Sequence, residues 1–189
     1  MISSANDDGE SAPTPASKSP IEHRTLKLPR AIEQDSRAAR LIATLEESAT
    51  QPSPAGGLSI HTFDCNPLVA AALRAASVTR SIVRGLEGAQ QTLMSEAQGL
   101  AHADVRSSSN RGARVSRLLL LASDGSKRFY RDVAPLMKYH SDRLLVIRLR
   151  LTADELGTAA FGGSATARAL LLTQKAAVSN LLLALMDDY

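Results

Sequence analysis

The chain has 189 residues, enough for one ordinary domain and a tail, and its single cysteine, Cys65, excludes both an intramolecular disulfide and a zinc site built from cysteines. Hydrophobic residues make up 44% of the chain but aromatic residues only 3%, with no Trp, which argues against aromatic stacking as the main means of holding a ligand. The formal net charge is +3, yet residues 58–189 carry 16 Lys and Arg, 13 of them Arg, against 11 Asp and Glu, which favours a nucleic-acid partner or a solvated basic face.

The first 57 residues are predicted to form a tail and linker. Residues 1–27 are rich in Ser, Ala, Pro and Asp and offer almost nothing to bury, which predicts disorder. Their acidic, polar start is unlike a signal peptide, and no run reaches the roughly 18–20 apolar residues of a membrane span, so we expect an intracellular protein without membrane contact. Apolar residues at helical spacing over 28–50 predict one amphipathic helix, either an appendage or a partner-docking segment. The sequence "QPSPAGG" at 51–57 ends this unit.

Residues 58–189 alternate helix and strand signals and are predicted to form the folded domain. Apolar or extended segments predict four strands, at 80–85, 115–124, 143–151 and 167–174. Helical patterns predict five helices, at 66–77, 86–97, 127–141, 152–162 and 175–187. The polar segment 98–114, rich in Arg, Ser and Gly, is predicted as an inserted surface loop. Alternating strands and helices predict an α/β fold, a three-layer α-β-α sandwich whose mixed four-stranded sheet is buried on both faces.

No group of residues predicts catalysis. The histidines His61, His102 and His140 lie far apart with no metal-ligand spacing, and Cys65 has no catalytic neighbours. The pair Ser123-Asp124 follows a predicted strand, where α/β enzymes place catalytic residues, but no Gly-rich loop accompanies it, so we interpret it as a turn and helix cap. The sequence therefore predicts a protein that is not an enzyme and that uses no metal and no cofactor.

Three segments carry a resemblance to a known family. "VRGLEGAQQTL" (83–93) contains an Arg-Gly pair before a helix, "LLLLASDGS" (118–126) a buried strand and turn, and "DELGTAAFG" (154–162) a Leu-Gly helix that precedes the apolar strand "ARALLLT" (167–173). Together, over about residues 66–187, they resemble the kink-turn RNA-binding ribosomal protein superfamily, the 7Ae/30e type. The resemblance implies a non-catalytic subunit of a ribonucleoprotein particle, of the ribosome, H/ACA or RNase P/MRP kind, with structured RNA and other particle proteins as partners. It implies the nucleolus, the nucleus, ribosome-associated cytoplasm or an organelle as the location.

Carried over by residue, the resemblance implies an RNA site built from two loops. Gly85 would supply the tight turn before a helix whose N-terminal N–H groups attract phosphate. Arg80 and Arg84 would hold phosphates, while Glu87 and Gln91 would face bases. The second loop would cover an unpaired nucleotide of a sharply bent RNA. Its implied contact residues are Arg148, Arg150, Leu151 and Thr152.

The chain departs from the family at the residues that read the RNA. Kink-turn binders carry Gly-x-Asn-Glu, with Lys three residues after the Glu. The matching positions here are Gly85, Leu86, Glu87, Gly88 and Gln91, so only the glycine is retained. This departure favours either a different RNA or a protein–protein interaction module of the same fold, with a degenerate RNA site and docking through the 28–50 helix. A third functional hypothesis is a small-molecule enzyme built on an open α/β sheet.

Overall fold

A computed structural model describes residues 27–48, 60–107 and 113–187 of the chain. Most of the predicted disordered tail, residues 1–26, lies outside this description. The strands are β1 His61–Phe63, β2 Ile82–Arg84, β3 Arg117–Leu121, β4 Leu144–Leu149 and β5 Ala169–Leu172. The helices are α1 Arg30–Glu33, α2 Ala38–Ser48, α3 Pro67–Val78, α4 Leu86–Ser107, α5 Lys127–Tyr139, α6 Ala153–Phe161 and α7 Lys175–Ala184.

The strands form one mixed sheet in the order β1-β4-β3-β5-β2. Strands β1, β4 and β3 run parallel, and β5 runs antiparallel to its neighbours β3 and β2. The carboxyl ends of β1, β2, β3 and β4 therefore lie at one edge of the sheet, beside the amino end of β5. We call it the carboxyl edge, and it includes Phe63, Arg84, Leu121, Leu149 and Ala169. Helices α3, α4, α5 and α6 all begin there.

The strand side chains alternate between two apolar layers, because successive strand residues point to opposite faces. In β3, Leu118 and Leu120 join the core that includes α2, α3, α6 and α7, whereas Leu119 and Leu121 join the core that includes α4 and α5. The predicted α-β-α sandwich with a mixed sheet is thus confirmed. The sheet has five strands instead of four, because β1 is a three-residue edge strand in which only Phe63 is buried, too short to show a hydrophobic pattern.

The segment predicted as one helix over 28–50 forms two helices that pack into the domain. Its buried apolar residues share a core with β3, and they are Leu28, Ile32, Leu41 and Leu45. The helix is interrupted at Arg37, whose backbone N–H and Nε each donate to Asp35 Oδ1 at 2.9 Å. These hydrogen bonds lower the pKa of Asp35 to about 2. Arg37 also donates to Asp187 at 2.7 Å, which ties this segment to the far end of the chain.

Helix α4 is longer than predicted and takes up much of the predicted loop 98–114. It continues to Ser107, and residues 108–112 lie outside the described part of the chain. The residues Ala, Gln and Leu within 97–103 are good helix formers, and their summed propensity outweighs the cost of Gly99. No helix in the described ranges is both long enough and apolar enough to cross a bilayer.

Glu96 on α4 binds two arginines at the edge of the sheet opposite the carboxyl edge. Arg117 donates from Nε to Oε2 and from Nη2 to Oε1, both at 2.9 Å, and Arg143 donates from Nη2 to Oε2. The three side chains are only 15–25% exposed. This cluster fixes the middle of α4 against the first residues of β3 and β4.

Candidate functional site

The turn between β2 and α4 has the conformation that only glycine adopts easily. Gly85 has φ 86°, and its N–H donates to the carbonyl of Ala169 at 2.8 Å. Its own carbonyl accepts from Ala89 N at 3.1 Å, the first helical hydrogen bond of α4. The N–H groups of the first turn have no acceptor within the helix, and Gly85 has no side chain to cap them. An anion at this helix end would therefore meet open donors.

Two arginines flank this turn. Arg84 is exposed and pairs in register with Leu170 of β5, and Arg168 lies two residues before Leu170. Because strand side chains alternate, both arginines are placed on the side of the sheet that carries α6. The guanidinium of Arg84 lies 5.9 Å from the ring centroid of Phe161, which ends α6 and is 40% exposed. Arg168 and Phe161 were not among the site residues predicted from the sequence. The pairing of β2 with β5 brings Arg168 beside Arg84, and the placement of α6 brings Phe161 there.

Helix α6 runs from the end of β4 to the neighbourhood of Arg84. Its predicted capping box is confirmed: Thr152 Oγ1 accepts from Glu155 N at 3.3 Å, and the Glu155 carboxylate accepts from Thr152 N at 2.7 Å. The hydrogen bonds from Thr152 hold the pKa of Glu155 below its ordinary value. At Gly157 an added Cβ would lie 2.0 Å from the carbonyl oxygen of Ala165. Glycine is thus required at position 157, where the chain returns across this helix to β5.

The loop before α6 holds three of the predicted site residues, and each has a partner within the chain. Arg150 donates to the carboxylate of Asp64 at 2.8 Å, in a pair that is largely exposed. The carbonyl of Leu151 accepts from the backbone N of Ser123 at 2.7 Å and from its Oγ at 2.9 Å. Thr152 is the helix cap. An RNA would reach Arg150 only by displacing Asp64, an exchange that costs little for an exposed ion pair.

Asp124 completes this loop. Its Oδ1 accepts from Ala153 N, the first residue of α6, at 3.1 Å. Ser123 and Asp124 therefore connect the end of β3 to the start of α6, as a turn and helix cap, which agrees with the interpretation made from the sequence.

Of the remaining predicted residues, Glu87 lies at the turn, in the first turn of α4, and the others lie away from it. Arg148 lies on the face of the sheet covered by α5, where its Nε donates to Thr62 Oγ1 at 3.1 Å. Arg80, with φ 54°, precedes β2 at the opposite edge, about 13 Å of extended chain from Arg84. Glu87 and Gln91 are both exposed and share one face of α4, because they are four residues apart.

The carboxyl edge carries no excess of positively charged residues over acidic ones. Its cations are Arg84, Lys127, Arg128, Arg150 and Arg168, and its acidic residues are Asp64, Glu87, Asp124, Asp154 and Glu155. The formal charges along the edge therefore balance, with Arg84 and Arg168 beside Gly85 and Lys127 and Arg128 at the start of α5. Within the described ranges, no three His, Cys, Asp or Glu side chains are grouped so that they could hold a metal ion.

The chain was compared with known proteins. No protein-family model matches it, and no curated protein matches its sequence. One solved structure that it is similar to is described as a protein with unknown function from Bacillus halodurans C, with a TM-score of 0.44 and 16% identity, covering 65% of this chain and 100% of that chain. A similarity of this size assigns neither a family nor a function.

Proposed function

We propose that the chain is a non-catalytic RNA-binding subunit of a ribonucleoprotein particle and that it holds a bent, partly unpaired RNA element at the carboxyl edge. The observation that carries this proposal is the Gly85 turn. It begins α4 without a capping side chain, and Arg84 and Arg168 flank it on the α6 side of the sheet. Phosphate is the ligand that such donors suit, since guanidinium groups bind it in bidentate fashion and helix N-termini attract it.

The elements around the turn suit RNA that is bent and not a regular duplex. A-form grooves hide base edges, so proteins read RNA at unpaired nucleotides, which they stack against side chains. Phe161 and the half-buried Leu151 offer apolar surface at the two ends of α6. An unpaired nucleotide beside the Gly85 turn would meet this surface while its phosphate met Arg84 and Arg168.

The acidic residues of the edge limit the size of the contact. Carboxylates along the edge would repel a phosphate backbone that followed its full length. The proposed interface therefore involves about two phosphates near Gly85 and not the long basic track of a duplex binder. Gly88 and Gln91, at positions where kink-turn binders have Glu and Lys, fit the same conclusion that the bound RNA is not a standard kink-turn.

The second candidate is a protein–protein interaction module with a degenerate RNA site. The ion pair between Arg150 and Asp64 and the other acidic residues of the carboxyl edge favour it, because they reduce the attraction for RNA. Its predicted docking segment, helix 28–50, has already buried Leu41 and Leu45 in the core of the domain. Docking through α2 would have to use its outer face, where Ile42 is 39% exposed.

Ultraviolet cross-linking of the tagged full chain in its native cells, followed by sequencing of the bound RNA, tests the proposal. We expect enrichment of one class of structured non-coding RNA and its loss in the Arg84→Ala/Arg168→Ala double variant. Lys175→Ala, an exposed cation at the opposite edge, is the matched control and should keep the cross-links. Stable protein partners without cross-linked RNA would favour the interaction module.

A further inference from the structure

Three cations form one row on the outward face of α5, and we call this row the α5 stripe. Its members are Lys127, Arg131 and Lys138, and all three are exposed. They are four and then seven residues apart, so at about 100° per residue they fall within an arc of about 40°. The residues that α5 buries point toward the sheet instead, and they are Tyr130, Val133 and Leu136.

The stripe contains no acidic side chain. The one acid of α5, Asp132, lies on the side of the helix that faces α4, which it shares with Pro135 and Tyr139. Among the residues that the structure describes, none forms an ion pair with a cation of the stripe. The three charges are therefore available to an anionic partner.

A phosphate backbone suits the stripe better than a protein surface does. Helix geometry spaces the three cations about 6 Å and then about 10 Å along the axis, within the reach of flexible Lys and Arg side chains to phosphates of one strand. Protein interfaces are usually anchored by large apolar or aromatic side chains. The nearest apolar neighbours of the stripe are only Ala134 and Pro135. Contacts between cations and phosphates need no such anchor.

The stripe begins near the proposed RNA site and leads away from it. Lys127 begins α5 at the carboxyl edge, where α4 also begins. The ends of β2 and β3 lie about 10 Å apart, because β5 pairs between them. From this edge the stripe runs about 16 Å along α5. RNA held only at the Gly85 turn would not reach it, whereas a strand that continues across the edge would.

We infer that the α5 stripe binds the backbone of an RNA strand that leads away from the Gly85 turn. The inference rests on the proposed function and deepens it, since it adds a second contact that holds the strand without reading its sequence. Each cation neutralises one phosphate and contributes about −0.7 to the slope of log K against log salt. The whole stripe therefore contributes about −2.1.

A 20-nucleotide oligouridine tests the stripe, because it is unstructured and has no bent element. Fluorescence anisotropy measures its affinity for the full chain between about 50 and 200 mM salt. We expect Lys127→Ala/Arg131→Ala/Lys138→Ala to make the slope about 2.1 shallower. At the lower salt concentration this variant should also bind about tenfold more weakly, since three exposed charge contacts are lost.

Two further variants are the controls. Arg30→Ala/Arg74→Ala/Lys175→Ala removes the same charge from exposed positions on α1, α3 and α7, and it should keep both the affinity and the slope. Arg84→Ala/Arg168→Ala removes the arginines at the Gly85 turn. In that background the stripe substitutions should still reduce the slope by the same amount, which separates the stripe from the proposed RNA site.

Four results would overturn the inference. Equal losses in the stripe variant and the charge-matched control would mean that net charge alone sets the affinity. Loss only in Arg84→Ala/Arg168→Ala would confine RNA to the Gly85 turn and leave the proposed function standing. An absence of oligouridine binding at about 50 mM salt would remove the stripe as an RNA contact, while the Gly85 turn is tested separately with structured RNA. Tighter binding of a 20-residue polyglutamate than of oligouridine at the stripe would make an acidic protein segment the occupant.

Discussion

The salt dependence of RNA binding is the sharpest test of the proposed RNA site, because the number of arginines beside the Gly85 turn sets the expected slope. Arg84 and Arg168 are the arginines beside the Gly85 turn, whereas Arg150 is already paired with Asp64. Neutralising about two phosphates of a single-stranded element predicts that log K falls with log salt at a slope of about −1.4. Affinity should therefore drop about sevenfold between roughly 50 and 200 mM salt.

Each arginine should contribute half of that slope. Removal of either Arg84 or Arg168 by substitution with Ala is expected to reduce the slope to about −0.7. Because each charge-assisted contact is worth about 1.5–3 kcal/mol, affinity at fixed salt should fall at least tenfold. Fluorescence anisotropy with the RNA recovered by cross-linking measures both quantities, and Lys175→Ala is the control. A slope steeper than about −3.5, or full affinity in both variants, would refute the two-phosphate site.

Three other substitutions, with Gly99→Ala as a control, test the framework of the domain by urea denaturation. Gly157→Ala should lower the free energy of unfolding by about 1–3 kcal/mol or more, because the added Cβ would overlap the carbonyl oxygen of Ala165. Gly99→Ala, on a helix with nothing within 4 Å of the added Cβ, should raise the free energy of unfolding by about 0.5–1 kcal/mol. Gly85→Ala should cost about 1–2 kcal/mol through its positive φ alone, since nothing lies within 4 Å of the added Cβ. Glu96→Gln should cost about 2–3 kcal/mol by leaving two largely buried arginines underpaired. Stabilisation by Gly157→Ala, or unchanged unfolding for the other two, would contradict these assignments.

Local signals in the sequence were sufficient to predict the elements that depend only on neighbouring residues. Asn66 caps α3, with its Oδ1 accepting from Val69 N at 2.8 Å, and Pro67 follows at the first helical position as predicted. The Thr152 capping box and the Leu runs of β3 and β5 were predicted from the sequence in the same way. These features arise from hydrogen bonds or burial patterns within a few residues, and such patterns are visible without knowledge of the fold.

Features that join distant parts of the chain were missed. Strand β1 has three residues and depends for its hydrogen bonds on β4, whose paired residues lie 86 positions later in the chain. The predicted 28–50 helix breaks where Arg37 binds Asp187, and its apolar face is covered by the domain core. Arg148 and Arg80 looked like members of one basic site, yet strand direction and side-chain alternation place them away from Gly85.

The sequence by itself thus determined the fold class, the helix caps and the glycine turn, because composition, periodicity and capping act over one or two helical turns. The tertiary structure alone decided which charges share a surface. Antiparallel pairing of β2 with β5 brings Arg168 to Arg84, although 84 residues separate them in the chain. The side-by-side placement of α4 and α5 likewise opens a groove between Met94 and Tyr139. Such surfaces depend on strand order and register, which are set by long-range packing and leave no local pattern in the sequence.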